Sequence, residues 1–276
     1  MNSFAKKFVM IASALLFVWA ANAQNSPPSQ TSSPASLAAS PPAPPATSAE
    51  LAAAAGRVAQ MERALADWPN LAKYRDANAA LTSSSDTEPR VIFMGDSITE
   101  GWGDIDPKFF AAHRYVDRGI SGQTTPQMLV RFRQDVIALR PAAVVILAGT
   151  NDIAGNTGPA TIESIEDNLK SMAELARAHG IRVVLSSVLP VFDYSWRPGL
   201  QPVPKIAALN SWMEGYCALE ECVYLDYFSV MADDRKGLPL ALSSDGVHPN
   251  KAGFAIMKPL VENAIARALT QKSLPR

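Results

Sequence analysis

A serine hydroxyl attacks an ester only when a base takes its proton, and that base is commonly a histidine whose tautomer a third group fixes. The chain has 3 histidines. His113 lies among Phe109, Phe110 and Tyr115 and reads as packed or surface-placed. His179 closes a helical stretch before Gly180, where a cation suits the negative end of the helix dipole. His248 alone has a carboxylate at short range. In Asp245-Gly246-Val247-His248-Pro249-Asn250, one turn can carry both groups, with Asp245 accepting from one imidazole nitrogen and the other left for a serine. The stretch also reads as an ordinary Asp-Gly turn with Asn250 capping a following helix. The serine in a suitable setting is Ser97, in Gly95-Asp96-Ser97 after an apolar run, although Ser97 or Thr99 there could simply cap a helix.

Acyl transfer also needs donors aimed at the oxygen on which charge develops. A glycine-bearing block, 119–124, and a second block, Gly149-Thr150-Asn151-Asp152, each follow an apolar run. Gly122 offers a backbone amide with close access and Asn151 a side-chain amide; Gly119 is the alternative glycine. Asp96 and Asp152 read as loop supports that bond nearby backbone. Trp102, Tyr194, Trp196 and Arg197 fall near the same blocks, either to stack on a sugar or to pack loops. The sequence contains no HExxH motif and no paired CxxC, so neither a metal nor another cofactor is expected.

These blocks must be brought to one place by the elements between them. Short apolar runs at 91–94, 115–117, 142–148, 182–188 and 223–226 read as five strands. They alternate with helical patterns at 126–139, 162–178, 206–216 and 251–269. Strand-helix alternation implies crossovers, hence an α/β/α sandwich around a five-stranded parallel sheet, in which ligands bind at the carboxyl ends of the strands. All four polar blocks then share one rim.

The remainder sets the context. Lys+Arg 25 against Asp+Glu 26 gives no clustered positive face for nucleic acid. Residues 1–23 read as a signal peptide: Lys6 and Lys7, an apolar run too short to span a bilayer, then Ala21-Asn22-Ala23. Residues 24–48, without charge and rich in Pro, Ser and Ala, read as a disordered linker, and 49–89 as a helical extension with Leu51, Val58, Met61 and Leu65 on one stripe. The catalytic domain is expected over 90–276, exported to the periplasm or beyond, with no membrane span after cleavage. Export favours a disulfide between Cys217 and Cys222, although two buried thiols that never meet are the competing reading.

With Gly-Asp-Ser, the glycine loop, Gly-Thr-Asn-Asp and Asp-x-x-His in this order, the chain resembles the SGNH hydrolases, or GDSL lipases and esterases, over most of 90–265. The resemblance implies a flavodoxin-like α/β/α fold and a carboxylic ester hydrolase. It makes Ser97 the nucleophile and, through its own amide, an oxyanion donor. Gly122 and Asn151 are then the other donors, and Asp245 with His248 completes the triad. Ile98 stands where Leu is usual, and Asp117-Arg118-Gly119 replaces the commoner Asn before the glycine loop. The expected substrate is a small-molecule, carbohydrate or lipid ester, with short-chain acyl groups and carbohydrate O-acetyl groups favoured. A lysophospholipase or thioesterase is the alternative, and a catalytically idle glycan-binding module a third.

Overall fold

The computed structural model describes residues 47–83 and 89–271. The signal segment, nearly all of the linker and most of the loop after residue 83 lie outside the described residues. Ala49–Arg276 forms one compact unit.

Five strands, β1 (Val91–Gly95), β2 (Tyr115–Gly119), β3 (Ala143–Leu147), β4 (Arg182–Ser186) and β5 (Val223–Leu225), form one sheet in the order β2-β1-β3-β4-β5. Every pairing is parallel, with Gly95 level with Gly119 on one side and with Leu147 on the other. The sheet has helices on both faces, which is why β1 and β3 are apolar throughout and buried at every position. Along β1, Ile92 and Met94 enter one core while Val91 and Phe93 enter the other.

The first core is closed by α5 (Thr125–Asp135), α7 (Ile162–Ala178) and α8 (Pro202–Leu219), and the second by α3 (Ser97–Ile105), α4 (Pro107–His113) and α10 (Lys251–Thr270). Two one-turn helices, α6 (Thr150–Ile153) and α9 (Phe228–Met231), follow β3 and β5. Upstream are α1 (Ser48–Ala66) and α2 (Arg75–Ser83). The apolar stripe of α1 stays exposed: Leu51, Val58, Met61 and Leu65 are all more than half accessible.

The five strands fall where the apolar runs place them, and four details differ from the sequence reading. The helix expected over 126–139 stops at Asp135 and tightens into a separate 3₁₀ turn, Ile137–Leu139. The helix expected over 206–216 begins at Pro202, because proline in a first turn loses no hydrogen bond. β2 runs on to Gly119 through the charged pair Asp117 and Arg118, which masks its strand character. Finally, α3 and α4 have no counterpart among the expected helices, since Gly101, Gly103 and Pro107 interrupt the pattern.

Switching from β1 to its two neighbours leaves a crevice between the carboxyl ends of β1 and β3, where such sheets place their ligands. Ser97 follows β1 and Asn151 follows β3.

Candidate active site

Gly95 ends β1, and Asp96 caps α3 by accepting the Ile98 amide at 3.0 Å. Ser97 is therefore the first residue of α3, with its amide among the unpaired donors at the positive end of that helix. The Ser97 hydroxyl lies 2.8 Å from His248 Nε2, and His248 Nδ1 lies 2.7 Å from Asp245 Oδ2. The other carboxylate oxygen of Asp245 accepts the Val247 and His248 amides at 2.9 and 2.8 Å and the Ser243 hydroxyl at 3.0 Å. Burial acts to raise the Asp245 pKa, but the His248 amide, the His248 ring and the Val247 amide outweigh it and hold the group at about 2. With Asp245 ionised, Nδ1 carries the ring proton and Nε2 faces Ser97 as an acceptor. One tight turn carries both His248 and Asp245, and the Asn250 cap of α10 immediately follows it.

The two candidate glycines are in different situations. The Gly119 amide already donates to Asp117 Oδ1 at 2.6 Å, and a β-carbon there would run into the backbone of Asp96 and Glu100. Its lack of a side chain lets α3 lie against the end of β2. Gly122 sits in the left-handed region at φ 77, and its amide has no acceptor among the described residues. Asn151 is buried; its Nδ2 donates to the Gln123 carbonyl at 3.0 Å and, at a longer 3.3 Å, to Asp96 Oδ2. Asn156 fixes the orientation of that amide by donating to Asn151 Oδ1 at 2.8 Å.

Asp96 and Asp152 are buried loop supports, Asp152 taking the Thr125 amide and hydroxyl at 3.0 and 2.6 Å. Burial raises each to about 6, against the pull of the backbone and hydroxyl donors they hold.

A second layer escaped the sequence reading. Gln123 is fully enclosed; its Oε1 accepts Arg131 Nε at 2.6 Å and its Nε2 donates to the Pro69 carbonyl at 2.7 Å. Arg131, also buried, reaches the Gly95 carbonyl at 2.9 Å and pairs with Asp135 at 3.0 Å. Gln127 and Gln134 donate to the carbonyls of Trp68 and Leu71. A strap running from Trp68 to Leu71 is thus laced to α5 and to the loop that carries Gly122.

The other residues sort cleanly. His113 bonds the Phe109 carbonyl and Glu262, and His179 the Leu175 carbonyl, both outside the Ser97–His248 constellation. Trp102 belongs to the core, stacked between Phe109 and Phe254, which removes it from the rim. Trp196 is 43% exposed, with its ring 6.4 Å from that of His248. Cys217 and Cys222 form a disulfide at the end of α8. Among the described residues no group of three or more His, Cys, Asp or Glu side chains could hold a metal ion, and no helix is long and apolar enough to cross a membrane.

The model of the GDSL-like lipase/acylhydrolase family matches residues 93–256, which spans all four polar blocks. The chain belongs to this family. It is 45% identical to a GDSL-like lipase of solved structure from Bacteroides thetaiotaomicron, with a TM-score of 0.70 over 72% of this chain and 98% of that one. It is 29% identical over 185 residues to the esterase TesA of Pseudomonas aeruginosa, covering 63% of this chain and 84% of TesA. Over 115 residues it is 31% identical to the human platelet-activating factor acetylhydrolase IB subunit alpha1, covering 40% of this chain and 48% of that one. The GDSL acylhydrolase is accordingly a carboxylic ester hydrolase, built on the α/β sandwich of its family.

Proposed function

We propose that this hydrolase cleaves short-chain acyl esters, carbohydrate O-acetyl esters among them, by a Ser97-His248-Asp245 triad. The observation that carries the reading is the unbroken relay from Ser97 Oγ through His248 to Asp245, at 2.8 and 2.7 Å. Ser97 attacks the carbonyl carbon as His248 Nε2 takes its proton, and the imidazolium formed is stabilised by ionised Asp245. The oxyanion is met by the amides of Ser97 and Gly122 and by Asn151 Nδ2, whose longer bond to Asp96 is the one that yields. His248 then returns the proton to the departing alcohol, and a water activated by the same nitrogen releases the acid from Ser97.

A short acyl group fits what lines the loop after Asn151, where Asn156 and Thr157 are exposed and polar. The acetylhydrolase relative points the same way. The segment 90–276 is the catalytic domain in this reading. The charged-apolar-small pattern of residues 1–23 supports export, with a mature chain in the envelope fraction beginning at Gln24; an intact Met1 there would refute it.

The deciding experiment is Ser97→Ala, which should fold with an unchanged melting temperature and lose several orders of magnitude in ester hydrolysis. A serine-directed phosphonate should label Ser97 alone on peptide mass mapping. Retained turnover, or a label elsewhere, would remove the assignment.

A further inference from the structure

The loop between β4 and α8 carries a rigid aromatic step beside the base. Tyr194 is fully buried, and its hydroxyl lies 2.9 Å from both the carbonyl and the side-chain oxygen of Thr150, the neighbour of Asn151. The turn is closed by the Arg197 amide on the Tyr194 carbonyl at 3.0 Å, and Asp193 bonds the amides of Tyr194 and Gly199. Trp196 sits on this turn, packed on Tyr194 with ring centroids 5.1 Å apart. Its ring centroid stands 6.4 Å from that of His248 at an interplanar angle of 33°, so the two tilted rings are neighbours. An indole that is fixed from below and still 43% exposed keeps apolar surface available to a ligand.

Its place beside His248 decides which half of the ester it meets. The carbonyl oxygen points to the oxyanion donors, whereas the alcohol oxygen must take its proton from His248 Nε2. A group flanking His248 flanks the alcohol. We propose that Trp196 is the platform for the alcohol half of the substrate and that this alcohol is a saccharide, an inference that rests on the triad reading above. The C–H face of a pyranose lies flat on an indole, whereas a flexible alkyl alcohol offers no comparable face. Arg197 adds the polar component. Its guanidinium lies beside Gly155, where a β-carbon would stand 2.9 Å from Nη1, and no carboxylate among the described residues pairs with it. It is placed to donate to sugar hydroxyl or ring oxygens at the edge of the same site.

The test compares two esters that share an acetyl group, an acetylated methyl glucoside and ethyl acetate, with acetate release measured on the full chain. Trp196→Ala should lower kcat/KM for the glucoside ester about 3- to 10-fold and leave ethyl acetate within about twofold, and Trp196→Phe should recover most of the loss. The ratio of p-nitrophenyl acetate to p-nitrophenyl butyrate rates should not move, because the acyl half is untouched. Equal losses on both acetates would make Trp196 a support for His248 and overturn the proposal. So would no loss on either, or a shift in the acetate-to-butyrate ratio. Ser97→Ala run alongside separates the two levels: residual activity there sinks the triad reading, while an inactive Ser97→Ala with an undiscriminating Trp196→Ala sinks only the platform.

Discussion

Replacing Asp245 by Asn tests the relay at its partly exposed carboxylate. The Asn side-chain oxygen can still accept the Val247 and His248 amides, now at 2.9 and 2.8 Å, so the turn should survive. Its NH₂ group would then face His248 Nδ1, now 2.7 Å from the carboxylate, and drive the ring proton onto Nε2. Ser97, 2.8 Å away, would meet a donor where it needs a base. In a buried triad the wrong tautomer costs roughly 10⁴ in kcat. Here the Asp245 and His248 side chains are 38 and 40% exposed, so water can help the ring return to the productive form. The loss is then one charge-assisted hydrogen bond, about 1.5–3 kcal/mol. A solvent-screened attraction for the imidazolium adds up to about 1 kcal/mol. At 1.36 kcal/mol per decade the sum, about 1.5–4 kcal/mol, predicts a kcat reduced by about 10- to 10³-fold. KM for p-nitrophenyl acetate should stay near its starting value, as should the thermal melting temperature. Asp245→Ala should match the loss in rate and, lacking any acceptor for the two amides, should also melt lower. An Asp245→Asn enzyme with undiminished kcat would show that the base works without its carboxylate; a change confined to KM would place Asp245 in substrate binding.

Asn151→Ala should lower kcat by about 10² to 10³ at unchanged KM in steady-state assays, since its donor bond is strongest in the transition state; a pure KM effect would make it a binding residue. Stability should fall as pH rises from about 4 to 7. Over that window the folded state holds protons on Asp96, Asp152 and Asp117, raised by burial to about 6, 6 and 7, that the unfolded chain has released. Below pH 4 the sign reverses as Asp245, held at about 2, is forced to take a proton. Melting curves across pH should show this acid-side maximum, and Asp117→Asn should flatten its neutral limb; a profile of wild-type shape in that variant would refute the cause. Across p-nitrophenyl esters, acetyl and butyryl should give higher kcat/KM than palmitoyl. Each added CH₂ contributes about 0.8 kcal/mol only where it finds apolar surface, and an optimum at long chains would favour a lysophospholipase.

The strands were legible because a parallel sheet covered on both faces demands uninterrupted apolar runs, and Ala143–Leu147 is such a run. β2 was only half legible, since Asp117 and Arg118 sit in a strand at the sheet's edge. Asp117 bonds the amide of Gly119 there, while Arg118 bonds Asn78 on α2 at 2.8 Å. α3 was missed for a related reason. Its glycines lower helix propensity, yet Gly103 packs its backbone against the Asp117 side chain, so tertiary approach overrides local preference.

The candidate triad could be proposed from the sequence because each member belongs to a short block whose chemistry is local: Asp245 and His248 share one turn, and Ser97 sits beside the Asp96 cap. Their supports could not. Gln123 matters through Pro69 and Arg131, and Arg131 through the carbonyl of Gly95, which lies 36 residues earlier in the chain. A glutamine in a glycine loop and an arginine on a helical stretch look solvated until the fold encloses them. Once enclosed, each must find partners, because a buried guanidinium or amide left unpaired costs several kcal/mol. The partners they find include the backbone carbonyls of Pro69 and Gly95, which carry no sequence signature. The sequence therefore brings the candidate triad into view, while Gln123 and Arg131 become visible as its supports only when distant carbonyls are brought within reach.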